Sequence, residues 1–358
     1  RSVSRMARAA ALRFACGFIC ALALGAAPAL AQSFETGIAR SHMIWQSQQK
    51  QAAIFAGIKK TGVGWFRDDF SDPPERIADF VNVVRQAKAA GLKMLVVVTQ
   101  SASDYDNAAA DNAGPAFQKL CGFPNGSLKL SQINVDKFKS RLRGLLAAAQ
   151  AARLAIDAFE IGNEVDWVCF NGDVPFQRNA TADDVRAAAR GYARFLEAAA
   201  GVIRANAPRA KIITAGLAHI DDSWDKPPRS HLPEPAAFMA SLRNLDGKNY
   251  LKDIDGYGVH IYPDANDVAR STAAVLAADR AAYGAEAPLW ITEFGFRSNQ
   301  FPNRAGQTRG RAIELFFEAL SGTRLGPVFY YGYDDEGFSL LDGKGALLPE
   351  AFVLRQKR

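Results

Sequence analysis

Little in this sequence is suited to holding a metal. Its 358 residues include only four histidines and four cysteines. No zinc-type Cys-x-x-Cys pair occurs, which leaves little room for a multi-metal cluster. No glycine-rich phosphate loop follows the first apolar strand, which argues against an open dinucleotide-binding sheet. No internal repeat and no linker divides the chain. Charge of one sign is scarce as well. The formal net charge is +6, but Arg1, Arg5, Arg8 and Arg13 fall in residues 1–31 beside no acid. The rest of the chain is nearly balanced, 39 basic residues against 37 acidic ones. A basic surface for nucleic acid or membrane is therefore not supported.

Long apolar runs are also few. One stands at 14–27, shorter than the roughly 20 residues a spanning helix needs. A basic start at Met6, this run and Ala29-Leu30-Ala31 before Gln32 predict a secretory signal peptide over 1–31, cut after Ala31. The alternative is an N-terminal membrane anchor. On the first reading the mature protein is residues 32–358, exported to the periplasm or secreted, with no membrane span. It then keeps Cys121 and Cys169 alone. An oxidising compartment favours their pairing over two buried thiols.

What is present suits a large globular core: 49% hydrophobic and 22% charged residues. Apolar, β-rich runs at 35–39, 63–66, 93–98, 155–161, 211–214, 256–261, 289–292 and 328–331 alternate with Ala-rich helical stretches. Several are continuous enough to be parallel strands covered on both faces. Helices are expected over 47–59, 74–90, 135–152, 182–206, 235–244, 268–283 and 306–321, with a short closing helix over 349–356. Thr181 ahead of Asp183 and Asp184 reads as a capped helix start. Eight such units predict a single-domain (β/α)8 TIM barrel with long loops after strands 3, 4 and 5, at 100–132, 164–180 and 216–234. Loops after strands form the active-site face of such a barrel, so these insertions should wall a cleft.

Two of the apolar strands run into glutamates. Ala158-Phe-Glu-Ile-Gly-Asn163-Glu164 ends strand 4, and Leu289-Trp-Ile-Thr-Glu293 ends strand 7. These ends face each other across a closed barrel. A carboxylate pair there can flank a glycosidic bond, one as nucleophile and the other as acid and then base.

In these residues the chain resembles the clan A glycoside hydrolases, retaining (β/α)8 enzymes with Asn-Glu after strand 4 and a glutamate nucleophile after strand 7. The resemblance covers nearly all of 32–358. Gly64-Trp65-Phe-Arg67 resembles the strand-2 end, whose arginine lies near the nucleophile. His260-Ile-Tyr262 resembles the strand-6 end. Tyr330-Tyr331-Gly-Tyr333-Asp334 stands at the strand-8 end, where many members carry a tryptophan. The nearest flavour is family 39 and its exopolysaccharide-associated bacterial relatives, with family 5 as rival.

The resemblance implies a glycoside hydrolase without cofactor or metal, acting on a polysaccharide or oligosaccharide. Glu164 would be the acid/base and Glu293 the nucleophile. Asn163 would hold a sugar hydroxyl, with Arg67, His260 and Tyr262 around the nucleophile. Arg67 has a second reading, as the partner of a buried Glu160. Trp65, Trp167, Tyr330 and Phe296 are candidate sugar-stacking surfaces, and His42 and Trp45 a candidate subsite. The acid pairs Asp68-Asp69, Asp221-Asp222 and Asp334-Asp335 read as solvated or helix-capping loop residues. Two rivals stand beside this: a non-catalytic glycan-binding or exopolysaccharide-assembly barrel, and a metal-dependent barrel hydrolase.

Overall fold

The structure is a computed structural model that describes residues 34–219, 229–301 and 308–355. The leader expected at 1–31, the Asp221-Asp222 pair and the start of the helix expected at 306 lie outside them.

Eight parallel strands form the barrel: β1 (Thr36–Ala39), β2 (Trp65–Phe70), β3 (Lys93–Val98), β4 (Ala158–Ile161), β5 (Lys211–Thr214), β6 (Tyr257–Ile261), β7 (Leu289–Phe294) and β8 (Leu325–Tyr331). The order around the wall is β5-β4-β3-β2-β1-β8-β7-β6. The seam between β5 and β6 is bridged by Ile213–Gly256 and Leu217–Val259, with His260 N donating to Leu217 O at 3.2 Å. This is the (β/α)8 TIM barrel that the alternation of strands and helices predicts.

The helices are α1 (Gln48–Thr61), α2 (Ile77–Ala89), α3 (Pro115–Cys121), α4 (Val135–Ala151), α5 (Ala182–Asn206), α6 (Pro235–Ser241), α7 (Val268–Tyr283) and α8 (Arg309–Ala319). Ser47 caps α1, and Asn134 caps α4. Thr181 and Asp184 form a reciprocal capping box on α5, worth about 1 kcal/mol. Helix α3 breaks up the long loop after β3, and the closing helix is only a 3-10 turn at Pro349–Phe352.

Strand β2 starts and ends later than its apolar pattern suggests. Arg67, Asp68 and Asp69 thus sit on the strand and not in a loop. Tertiary partners outweigh the poor strand propensity of aspartate. Asp69 Oδ1 accepts from His42 N at 2.9 Å, and Asp68 Oδ1 from Met43 N at 3.4 Å. The Asp334 carboxylate, likewise, is paired with Arg40 at 2.7 Å and Lys50 at 3.6 Å.

Two apolar cores arise from strand alternation. Outward-facing residues such as Phe66, Val96, Phe159, Ile212 and Phe294 pack under the helices. A small inner cluster of Ala39, Trp65, Leu95, Ala158, Ile213, Trp290 and Phe329 fills the N-terminal floor of the barrel. The next inward positions carry polar groups, and there the site begins.

Candidate active site

Strand β4 turns out of the barrel at Gly162, φ +86°, and brings Glu164 back over the mouth at φ +42°. A positive φ is costly for a side chain other than glycine, so the local structure must impose it. It does so through Glu164 N donating to Gly216 O at 2.9 Å, and Trp167 N donating to Glu164 O at 2.9 Å. The loop beyond is tied down further. Ala218 N donates to Asp166 Oδ1 at 3.0 Å, and Leu232 N to Asp166 O at 2.7 Å. Cys121 of α3 and Cys169 form a disulfide with Cα atoms 5.4 Å apart, joining the loops after β3 and β4. Asp104 receives Arg141 Nε at 2.8 Å and Nη2 at 2.6 Å, which ties the loop after β3 to α4.

Strand β7 supplies Glu293. The register between β6 and β7 shifts at Val259/His260, so His260 lies opposite Glu293. Arg67 Nη1 donates to Glu293 Oε1 at 2.7 Å, and the Tyr262 hydroxyl to Oε2 at 2.5 Å. Arg67 reaches two further groups. Its Nε donates to Glu160 Oε2 at 2.7 Å, and its Nη2 to Asn163 Oδ1 at 2.9 Å.

His260 Nδ1 lies 2.9 Å from Glu164 Oε1 and 3.7 Å from Glu293 Oε2, and its Nε2 lies 3.8 Å from Glu160 Oε1. One oxygen each of Glu164 and Glu293 and one nitrogen of His260 all lie within 4.8 Å of one another. The Arg67 guanidinium on Glu293 disfavours a cation among them. The imidazole fits beside Thr292 only because residue 216 is glycine. A Cβ there would meet His260 Nε2 at 2.2 Å and Thr292 Oγ1 at 2.6 Å.

The electrostatics separate the carboxyls. Burial raises the Glu164 pKa; the His260 hydrogen bond opposes this and the charge of Glu293 adds to it. For Glu160, burial pushes up but Arg67 and His260 outweigh it, holding the pKa down to about 2. For His260, burial works against the charged form, and Glu293, Glu160 and Glu164 outweigh it, raising the pKa to about 10. A proton is thus favoured on Glu164 and on the imidazole, and not on Glu160.

Some expected stacking surfaces lie elsewhere. Trp65 is on the barrel floor, Nε1 bonded to Glu35 at 2.8 Å and its ring edge-on to Trp290, so it cannot meet a sugar at the mouth. Tyr330 faces outward and is fully buried, edge-on to Phe294, with its hydroxyl donating to Phe338 O at 3.0 Å. Phe296 is fully buried against Phe301. Tyr331, one residue on from Tyr330, has the inward parity. It meets Tyr262 and Phe338 in a T-shaped cluster beside Glu293. Trp167 is half-buried in the Glu164 loop, against Phe170. Trp45 is 62% exposed and stacks on His42 at 4.6 Å. Its Nε1 donates to Asp72 at 3.2 Å, and His42 pairs with Asp69 at 3.2 Å.

The residues not named as site candidates from the sequence are Glu160 as a site member, Thr292, Gly216 and Tyr331. Glu160 left a signal, since a charge in a strand apolar on both faces needs a partner, and Tyr331 stands in the strand-8 end motif beside Tyr330.

No family model matches this chain, and no curated protein matches it. Solved structures do. A hyperthermostable endo-1,4-β-D-mannanase from Thermotoga petrophila, solved with maltose and glycerol, is 12% identical over 90% of this chain and 98% of that one, TM-score 0.53. A glycoside hydrolase family 5 subfamily 18 protein from Streptomyces cattleya, in complex with GlcNAc, is 14% identical over 90% and 79%, TM-score 0.59. A variant of the same subfamily from Bifidobacterium longum subsp. longum, in complex with Manβ1-4GlcNAc, is 14% identical over 90% and 77%, TM-score 0.57. The chain is therefore similar in fold to glycoside hydrolase barrels that include family 5 of clan A.

Proposed function

We propose that this protein is an exported, retaining glycoside hydrolase that cleaves O-glycosidic bonds of a polysaccharide or oligosaccharide by double displacement. The observation that carries the reading is the approach of Glu164 and Glu293, with one oxygen of each within 4.8 Å. Retaining enzymes hold their carboxyl groups about 5–5.5 Å apart, and inverting ones about 6.5–9.5 Å, to admit a water. The solved glycoside hydrolases of similar fold support the substrate class. The family 5 neighbours favour that rival over family 39, whose flavour rests on the strand-end motifs alone. The disulfide supports export, since such bonds persist in oxidising compartments.

Each step rests on a contact. Glu293, its oxygens aligned by Arg67 and Tyr262, attacks the anomeric carbon as the leaving oxygen takes the proton of Glu164. The bond to the leaving group breaks as the glycosyl ester to Glu293 forms. The positive charge developing on the sugar is met by the carboxylate, and Asn163 is placed to bond the neighbouring hydroxyl. Forming the ester removes the negative charge of Glu293, which lowers the proton affinity of Glu164. Glu164 then takes a proton from a water whose oxygen attacks the anomeric carbon. The bond from that carbon to Glu293 breaks to restore its carboxylate, and the two inversions give net retention.

The test is a screen of glycans and aryl glycosides with residues 32–358, using Glu293→Gln as control. Cleavage that Glu293→Gln abolishes is expected. No cleavage of any glycan, or cleavage that survives the substitution, overturns the reading.

A further inference from the structure

Beneath the carboxylate pair the barrel interior is ionic, at a level where branched aliphatic side chains ordinarily pack. Glu160 is at its centre and is fully buried. Four other elements converge on it. Arg67 of β2 donates Nε to Oε2 at 2.7 Å, Thr292 of β7 donates Oγ1 to Oε1 at 2.9 Å, and Gly216 after β5 donates its N–H to Oε1 at 2.8 Å. His260 of β6 brings Nε2 to 3.8 Å. Glu160 lies below the carboxylate pair, hydrogen-bonded to Arg67 and at ion-pair distance from His260. Arg67 continues to Glu293, and His260 continues to Glu164.

The charges balance in one state. Arg67 and an imidazolium at His260 offset the carboxylates of Glu160 and Glu293 when Glu164 carries its proton. Without the charge of Glu160, one buried cation has no counter-ion. That is expensive in a low-dielectric interior, and loss of the His260 proton is the cheapest relief.

We propose that Glu160 is a positioning residue that clamps Arg67 and His260 beneath the carboxylate pair and so fixes which groups there carry protons. Its role in catalysis rests on the glycosidase reading; the charge state it imposes on His260 does not. The raised His260 pKa and the lowered Glu160 pKa agree with this charge arrangement. Glu293 and Glu164 face His260 from β7 and the loop after β4, and Asp166 and His219, on the loops after β4 and β5, also lie within reach of its charge.

The test is a side-chain NMR titration of His260 in the intact, disulfide-bonded protein, beside kcat/KM against pH. In the wild type, His260 should stay an imidazolium through neutral pH. In Glu160→Gln its pKa should fall by at least about one unit, a tenfold loss of proton affinity. The kcat should drop about 100-fold, as misplacement of a reacting group does, with KM little changed. Titration of wild-type His260 near its ordinary 6.5, or a folded Glu160→Gln with an unshifted His260, overturns the proposal. If Glu160→Gln does not fold, Glu160→Asp keeps the charge and retracts it by one methylene. A smaller fall in the His260 pKa is then expected, and no fall overturns the proposal. If the wild type cleaves no glycan, the glycosidase reading fails while the titration still decides the role of Glu160.

Discussion

Thr292 and Glu293 are consecutive residues of one strand, yet both side chains point into the barrel. Thr292 Oγ1 bonds Glu160 at 2.9 Å, and Glu293 Oε1 accepts from Arg67 at 2.7 Å. Strict alternation would send one of them out to the helices. The register irregularities on both sides of β7 remove that constraint. A bulge re-aims a side chain, and such bulges concentrate at barrel rims. Here it lets one strand bond Glu160 through Thr292 and also bring Glu293 beside Arg67.

The two glutamates should separate by the stereochemistry of rescue. With a good leaving group, Glu164→Ala should still form the glycosyl-enzyme but hydrolyse it slowly. Added azide needs no base and should restore turnover, giving a glycosyl azide of retained configuration. Glu293→Ala should lose the covalent step, and azide there should give the inverted product. The opposite pattern of azide configurations would reverse the assignment.

The pH profile should show the raised pKa of Glu164. As the acid it is competent only while protonated, so kcat/KM should fall as pH rises through that pKa. Burial, with the charge of Glu293, places this alkaline limb above the usual glutamate range. A limb measured at the ordinary value for a solvated glutamate would rule out Glu164 as the group responsible.

Gly216→Ala should damage activity more than stability. The added Cβ would drive His260 off Glu164, given its 2.2 Å approach to Nε2. Loss of kcat by about 100-fold is expected, with a cooperative melt retained. Wild-type kcat in this variant would show that His260 need not hold its place.

Reduction of Cys121–Cys169 should destabilise the protein without unfolding the barrel strands. The sequence separation is 48 residues, so the chain-entropy model assigns the bridge about 4 kcal/mol. Denaturant melts of oxidised protein and of Cys121→Ser/Cys169→Ser measure the difference. Two titratable thiols in unreduced, denatured protein would show that the bridge does not form.

The barrel itself is legible along the chain. Several strands are runs apolar enough to be covered on both faces, and helical stretches alternate with them, so the (β/α)8 arrangement shows in local pattern even though the bounds of β2 do not. The strand-end glutamates are legible for the same reason. A charge at the end of an apolar run can only be at the mouth, and mouths of successive strands meet in a closed barrel. The pairing of Cys121 with Cys169 is an expectation from composition and compartment, and the structure supplies the geometry for it.

Other features depend on register, which no local pattern contains. Tyr330 and Tyr331 are equally plausible platforms in sequence. The pairing of Ile38 with Tyr330 and of Ala39 with Tyr331 turns the first outward and the second toward the site. Trp65 belongs to the floor because β2 begins with it and runs on to Phe70. Glu160 acquires its place because three other elements bring hydrogen-bond donors to one point and β6 brings His260 within 3.8 Å. Period-two patterning determines which residues share a face, so it reveals strands and their ends. Depth along the barrel axis, and register shifts such as the one beside Glu293, are set by neighbouring strands far away in the chain. Only the closed tertiary structure decides them.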